Sequence, residues 1–99
     1  MHISRVKIAD WAVLKGQGVL MTIGLGSCVG IALYDAQNKV GGLAHILLAD
    51  SRGFYRRPVP LNPAKFADTA IPLLVQEIEK AGGKRERLQA KIAGGSQLF

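Results

Sequence analysis

Val29-Gly30-Ile31-Ala32-Leu33-Tyr34-Asp35-Ala36-Gln37-Asn38-Lys39-Val40-Gly41-Gly42-Leu43-Ala44-His45-Ile46-Leu47-Leu48 decides the fold of this chain. Two apolar runs rich in strand-forming residues flank a short polar link, the pattern of an antiparallel hairpin. The reading gives strands over Val29–Tyr34 and Val40–Leu48, joined by Asp35–Lys39. Gly41 and Gly42 inside the second run imply a bulge or a close backbone approach. Upstream, Lys15-Gly16-Gln17-Gly18 reads as a turn and Val19–Ile23 as a buried strand. The three runs together predict an antiparallel meander, with Val6–Ala9 as a further short strand.

Downstream of the hairpin, Asp50–Leu61 is a basic stretch with two prolines and no periodicity, long enough to suggest a functional loop. Asn62-Pro63 is a favourable helix start, with Asn as N-cap and Pro at the first helical position. Ala67, Ile71, Leu74, Ile78 and Ala81 then recur at steps of three and four, the spacing of an amphipathic helix. Pro72 lies within that pattern and predicts a kink or break, with Asp68 or Thr69 capping a second segment. Gly82-Gly83 ends the helix. Leu88–Ala93 is a last strand, followed by Gly94-Gly95. Strands, then a helix, then a strand predict an α/β or α+β fold: a mostly antiparallel sheet with a packed helix.

The 99 residues suit one domain, read here as spanning 1–99. With 48% hydrophobic and 20% charged residues the composition is that of a folded chain rather than a disordered one. No apolar run reaches the roughly 20 residues that span a bilayer, so no membrane insertion is expected. The N-terminus lacks the apolar core of a signal peptide, and a single cysteine makes no internal disulfide, so a reducing cytoplasm is the expected setting. The net charge of +6, with clusters at Arg52, Arg56, Arg57 and at Lys84, Arg85, Arg87, suits an acidic partner as well as a solvated basic surface. Aromatic residues are few and no helix-turn-helix, zinc-finger or RNA-binding signature appears, so nucleic acid is not the expected partner.

Chemistry concentrates at Thr22-Ile23-Gly24-Leu25-Gly26-Ser27-Cys28, where the single cysteine follows a glycine-rich turn. Gly26-Ser27-Cys28-Val29-Gly30 has the spacing of a nucleophile elbow, but an elbow needs a helix after the nucleophile and here a strand follows. A dinucleotide loop fails for the same reason, and its third glycine falls one place late. One Cys and two His fall short of a metal ligand set, and no metal or cofactor is expected. A local argument survives these exclusions. Small neighbours leave the Cys28 sulfur uncovered and its N–H free to bind an oxyanion. The hairpin brings His45 back beside Cys28, where an imidazole can take the thiol proton. Thr22 or Ser27 then orients the imidazole or donates to the oxyanion. Against this stand the plain alternatives, an inert buried cysteine and a core histidine.

Leu25-Gly26-Ser27-Cys28-Val29, Gly42-Leu43-Ala44-His45, Ala67-Asp68-Thr69-Ala70-Ile71-Pro72 and Ala90-Lys91-Ile92-Ala93-Gly94-Gly95 together resemble the chemoreceptor glutamine deamidases, the CheD family. The resemblance runs from about Val6 to Phe99 with the four blocks in order. It implies a CheD-like layered sandwich and a cysteine amidohydrolase that converts glutamine side chains of methyl-accepting chemotaxis receptors to glutamate through a thioester. Cys28 maps to the nucleophile, His45 to the base and Thr22 to the third member. Ser27 remains a candidate for oxyanion binding or positioning. A CheC-type chemotaxis phosphatase is an implied partner. The family's chains normally continue beyond the Gly-Gly block, so the domain is expected to be incomplete at its C-terminal end. The alternative expectation is a non-catalytic module that docks on receptors or on the phosphatase.

Overall fold

The computed structural model of the protein describes residues 2–52 and 61–96. Six strands and one α-helix follow in the order β1 (Ile3–Arg5), β2 (Trp11–Lys15), β3 (Val19–Met21), β4 (Val29–Asp35), β5 (Val40–Ile46), α1 (Ala67–Lys80) and β6 (Gln89–Gly94). Four of the strands form an antiparallel sheet in the order β2-β5-β4-β6. The expected β4–β5 hairpin is its centre, with Gly30 opposite His45 and Asp35 opposite Val40. The fold is α+β, as the order of elements implies.

The meander is corrected. The strand over residues 19–21 does not extend the hairpin; it pairs in parallel with β1, Ile3 opposite Val19 and Arg5 opposite Met21. It is also more exposed than a buried strand, with Val19 and Met21 both 40% accessible. The strand expected at Val6–Ala9 lies one step earlier, at Ile3–Arg5. Val6–Ala9 instead turns: Asp10 N–H donates to the Lys7 carbonyl, and Ala9 takes a φ of 59°. That angle is unfavourable for a residue with a Cβ, so surrounding contacts must hold it. Ala9 N–H donates to the His45 carbonyl, and Asn62 Nδ2 donates to the Ala9 carbonyl at 2.9 Å. The fourth strand of the main sheet is Trp11–Lys15, which the sequence reading left without structure. Its residues are half-buried almost without alternation, so no period-two signal marks it.

Alternation along the hairpin divides the sheet faces. Ile31, Leu33, Val40, Ala44 and Ile46 point to one side and pack on Ala70, Leu74 and Ile78, one stripe of α1. Gly42 sits directly beneath that stripe: a Cβ there would lie 2.8 Å from Leu74 Cδ1 and 3.1 Å from Ile78 Cδ1. Of the two readings offered for Gly41-Gly42, close approach is correct; the register runs unbroken and there is no bulge.

The helix differs from expectation at its start. Asn62 does cap, accepting from Ala64 N–H at 3.0 Å, but what it caps is a 3-10 turn over Pro63–Lys65. Phe66 is extended and α1 begins at Ala67. Pro72 neither breaks the helix nor starts a second segment. It stands in the second turn on the exposed side, so the one amide donor it removes leaves the Asp68 carbonyl at the helix surface. The stop is as expected: Gly82 N–H donates to the Glu79 carbonyl and Gly83 N–H to the Ile78 carbonyl, closing a glycine C-cap. None of the described helices is long and apolar enough to cross a membrane.

A buried carboxylate joins the hairpin turn to the segment that leads into β6. Asp35 is fully buried at the end of β4. It accepts from the Gln37 and Asn38 N–H groups of the hairpin turn, from Lys84 N–H, and from Arg87 Nε and Nη2 at 3.1 and 3.0 Å. The Arg87 guanidinium, seconded by these backbone donors, holds the Asp35 carboxyl well below the usual carboxylate range. A carboxyl whose pKa is lower folded than unfolded stabilises the fold above its unfolded pKa of about 3.9, and loses that contribution as pH falls below it. Asp35→Asn is therefore expected to lower Tm by on the order of 10 °C at neutral pH. The gap between variant and wild type should narrow below about pH 4 in thermal melts followed by circular dichroism. The same pairing occupies Arg87, while Arg85 bonds Glu79 and Arg52 bonds Asp50. Three of the six clustered basic residues thus face internal carboxylates. Arg56 and Arg57 lie outside the described residues.

Candidate active site

Parallel pairing of β1 and β3 makes their carboxyl ends point the same way, so Val6 and Thr22 leave the strands side by side. Val6 N–H donates to the Met21 carbonyl at 2.7 Å, and Thr22 Oγ1 donates to the Val6 carbonyl at 2.7 Å. Thr22 Oγ1 also lies 2.8 Å from His45 Nδ1. A hydroxyl has one proton. With that proton directed to Val6, Thr22 accepts from His45, so Nδ1 carries the imidazole proton and Nε2 presents a bare lone pair. His45 itself stands on β5, a central strand, with its backbone bonded to Ala9 and Asp10. Its ring is fully buried, and Nε2 has no hydrogen-bond partner among the described residues. A buried acceptor without a partner costs free energy, about 1–3 kcal/mol.

The ring lies on the sheet face away from α1, opposite Gly30 in register. A Cβ at Gly30 would meet Leu25 and Thr22 at 3.5–3.6 Å, so these two side chains cover the sheet beside the imidazole. Cys28 lies two residues before Gly30, in the turn that leads into β4, and its side chain is partly exposed. Thr22 and His45 are thus joined by a hydrogen bond, while Cys28 immediately precedes β4, two residues before Gly30, the register partner of His45, with no bond from its sulfur to either. Ser27 is exposed in the same turn.

One detail of the expected chemistry is overturned. The Cys28 N–H is not free: it donates to the Leu25 carbonyl at 2.7 Å and closes the turn. The Ser27 N–H, by contrast, has no protein acceptor among the described residues.

The segment after β6, which the sequence reading left without a role, fastens this turn. Gly95 N–H donates to the Cys28 carbonyl at 2.8 Å, and Ser96 N–H to the Gly26 carbonyl at 3.0 Å. Gly94 has a φ of 94°, and a Cβ there would overlap the Cys28 carbonyl oxygen and press on Leu25. A glycine pair after an apolar strand is the signal that was present in the sequence. Gly94→Ala is expected to lower stability by about 1–3 kcal/mol in urea unfolding, because both the backbone angle and the overlap oppose a methyl group.

Comparison with known proteins adds the family. The family model described as CheD chemotactic sensory transduction matches residues 47–99, more than half of the chain. The chain belongs to the CheD family. Curated CheD relatives align over 95 residues, 96% of this chain. The protein of Moorella thermoacetica is 58% identical with 55% of its length covered, and that of Clostridium novyi is 53% identical with 57% covered. That of Pyrococcus abyssi is 50% identical with 56% covered. Each of those proteins is described as a probable chemoreceptor glutamine deamidase CheD. The chain spans somewhat more than half the length of these CheD relatives. The family-model match covers residues 47–99 and does not include Thr22, Cys28 or His45.

Proposed function

We propose that this chain carries the catalytic centre of a protein-glutamine deamidase acting on methyl-accepting chemotaxis receptors. The observation that carries the reading is the relay from the Val6 carbonyl through Thr22 to His45, which leaves Nε2 as an unprotonated, unpartnered base beside the cysteine turn. The curated descriptions of the relatives supply the substrate class.

In this mechanism His45 Nε2 takes the Cys28 thiol proton, and the sulfur attacks the carboxamide carbon of a receptor glutamine. The developing oxyanion meets the Ser27 N–H, the donor that the turn leaves available in place of that of Cys28. Collapse of the tetrahedral adduct breaks the C–N bond. Ammonia departs with the proton that His45 returns, and a glutamyl thioester remains on Cys28. His45 next removes a proton from water, whose oxygen attacks the thioester; glutamate is released and the thiol restored. The sum is amide plus water giving carboxylate plus ammonium. Each converted position gains a negative charge and becomes available for methylation. A CheC-type phosphatase partner and a cytoplasmic setting belong to the same proposal.

The test is direct. The chain is incubated with a purified receptor cytoplasmic fragment, ammonia release is followed, and conversion of glutamine to glutamate is read by mass spectrometry. Activity that persists in Cys28→Ala would sink the reading. Retention of the fragment in a pull-down with no ammonia released would favour the non-catalytic docking module instead.

A further inference from the structure

At the carboxyl ends of β1 and β3 lies a groove of about 470 Å³ lined by Arg5, Val6, Lys7, Ile8, Ile23 and Gly24. Val6 on its wall is the residue whose carbonyl holds Thr22, and Gly24 leads directly into the Cys28 turn. Two of the groove's lining residues are thus bonded to, or next in the chain to, the candidate active-site residues.

Its chemistry is amphipathic. Ile8 is 61% and Ile23 51% accessible. Arg5 and Lys7 stand beside them, and neither is paired with a carboxylate among the described residues, whereas Arg52, Arg85 and Arg87 are. Exposed apolar side chains rimmed by unpaired cations suit a segment with the complementary stripe, apolar on one side and acidic beside it.

We propose that this groove is the docking surface for the substrate: an acidic amphipathic segment whose apolar residues seat on Ile8 and Ile23, whose carboxylates face Arg5 and Lys7, and whose glutamine is thereby presented to Cys28. The proposal rests on the deamidase reading for its last clause and on the groove itself for the rest. The concave shape favours a protein segment over the flat surface of a bilayer.

The experiment pairs binding with turnover on the full chain. Two fluorescein-labelled helical peptides share one glutamine and one leucine stripe; one carries Glu and the other Lys beside the stripe. Wild type should bind the Glu peptide at least about tenfold more tightly by fluorescence anisotropy, with affinity falling between about 50 and 300 mM salt. Arg5→Gln/Lys7→Gln and Ile8→Ser/Ile23→Ser should each weaken that binding about tenfold and raise KM for the receptor fragment, with kcat retained. Arg85→Gln/Lys91→Gln removes the same charge elsewhere and should change neither. Cys28→Ala should still bind the peptide. Wild-type KM and affinity in both groove variants would overturn the proposal and leave the deamidase reading intact. So would equal affinity for the two peptides, or preferential binding of phosphatidylserine vesicles. Peptide binding through the groove with no ammonia from any substrate would overturn the deamidase reading alone. Circular dichroism melts confirm that each variant is folded, and the glutamine pair, both on exposed positions, serves if the serine pair is not.

Discussion

Ammonia release from a receptor fragment is expected to fall by about 10³–10⁴-fold in His45→Ala, and to background in Cys28→Ala. The size follows from the arrangement of the imidazole. In the proposed mechanism Nδ1–H is committed to Thr22, so Nε2 is the atom that moves a proton at both the acylation and the hydrolysis step. Removing it leaves whatever binding and oxyanion donors remain. Thr22→Val separates orientation from basicity. The isostere keeps the shape and removes the acceptor for Nδ1–H, so the ring is free to turn or to carry its proton on Nε2. A loss in kcat of about 10²-fold is expected. Thr22→Ser keeps the hydroxyl that accepts from His45 and donates to Val6, and should recover most of the rate. Wild-type kcat in Thr22→Val would show that the relay does not matter, because that variant lacks only the hydroxyl that bonds Val6 and His45. Alkylation of Cys28 by iodoacetamide gives a readout independent of substrate: it should slow in His45→Ala relative to wild type.

Leu74→Ala is expected to destabilise the fold by about 2–5 kcal/mol in urea titration. Leu74 is 1% accessible, the central residue of the Ala70, Leu74, Ile78 stripe, and it lies over Gly42, where the opposing strand has no side chain with which to fill a void. The lost methyl groups therefore leave a cavity that neither the sheet nor the helix can close easily. Gly42→Ala probes the same contact from the other side. Its added methyl must displace Leu74 or Ile78, so combining it with Leu74→Ala should cost less than the sum of the two single changes. A sum that is simply additive would mean that the helix does not rest on Gly42.

The hairpin was legible because two apolar runs rich in strand-forming residues flank a short polar link. The helix was legible from its stripe and its Gly82-Gly83 stop. What composition and spacing could not reveal was pairing direction. Val19–Met21 looks like one more strand of a meander, yet Gly16 and Gly18, at φ values of 86° and 148°, turn the chain so that it meets β1 in parallel. That choice aligns Val6 with Thr22, and no local signal reports it. The Asn62-Pro63 start was read correctly as a cap but assigned to the wrong helix, because a 3-10 turn uses the same capping residues. Cys28 and His45 stood out by residue type. The Thr22 relay needed a contact across 23 positions, and the Gly94–Ser96 fastening needed one across nearly 70; such distances are invisible to a window of sequence.

Asp35 has a consequence for the order in which the molecule assembles and comes apart. Its local bonds to the hairpin turn can form early, but those to Lys84 and Arg87 close loops of 49 and 52 residues. Loop closure of that length comes after local structure has formed. Contacts made late in folding act chiefly on the barrier to escape, so this clasp is expected to lengthen the lifetime of the native state far more than it hastens its arrival. The lock that keeps the last strand, and with it the Gly94–Ser96 fastening of the cysteine turn, in place is thus a kinetic one.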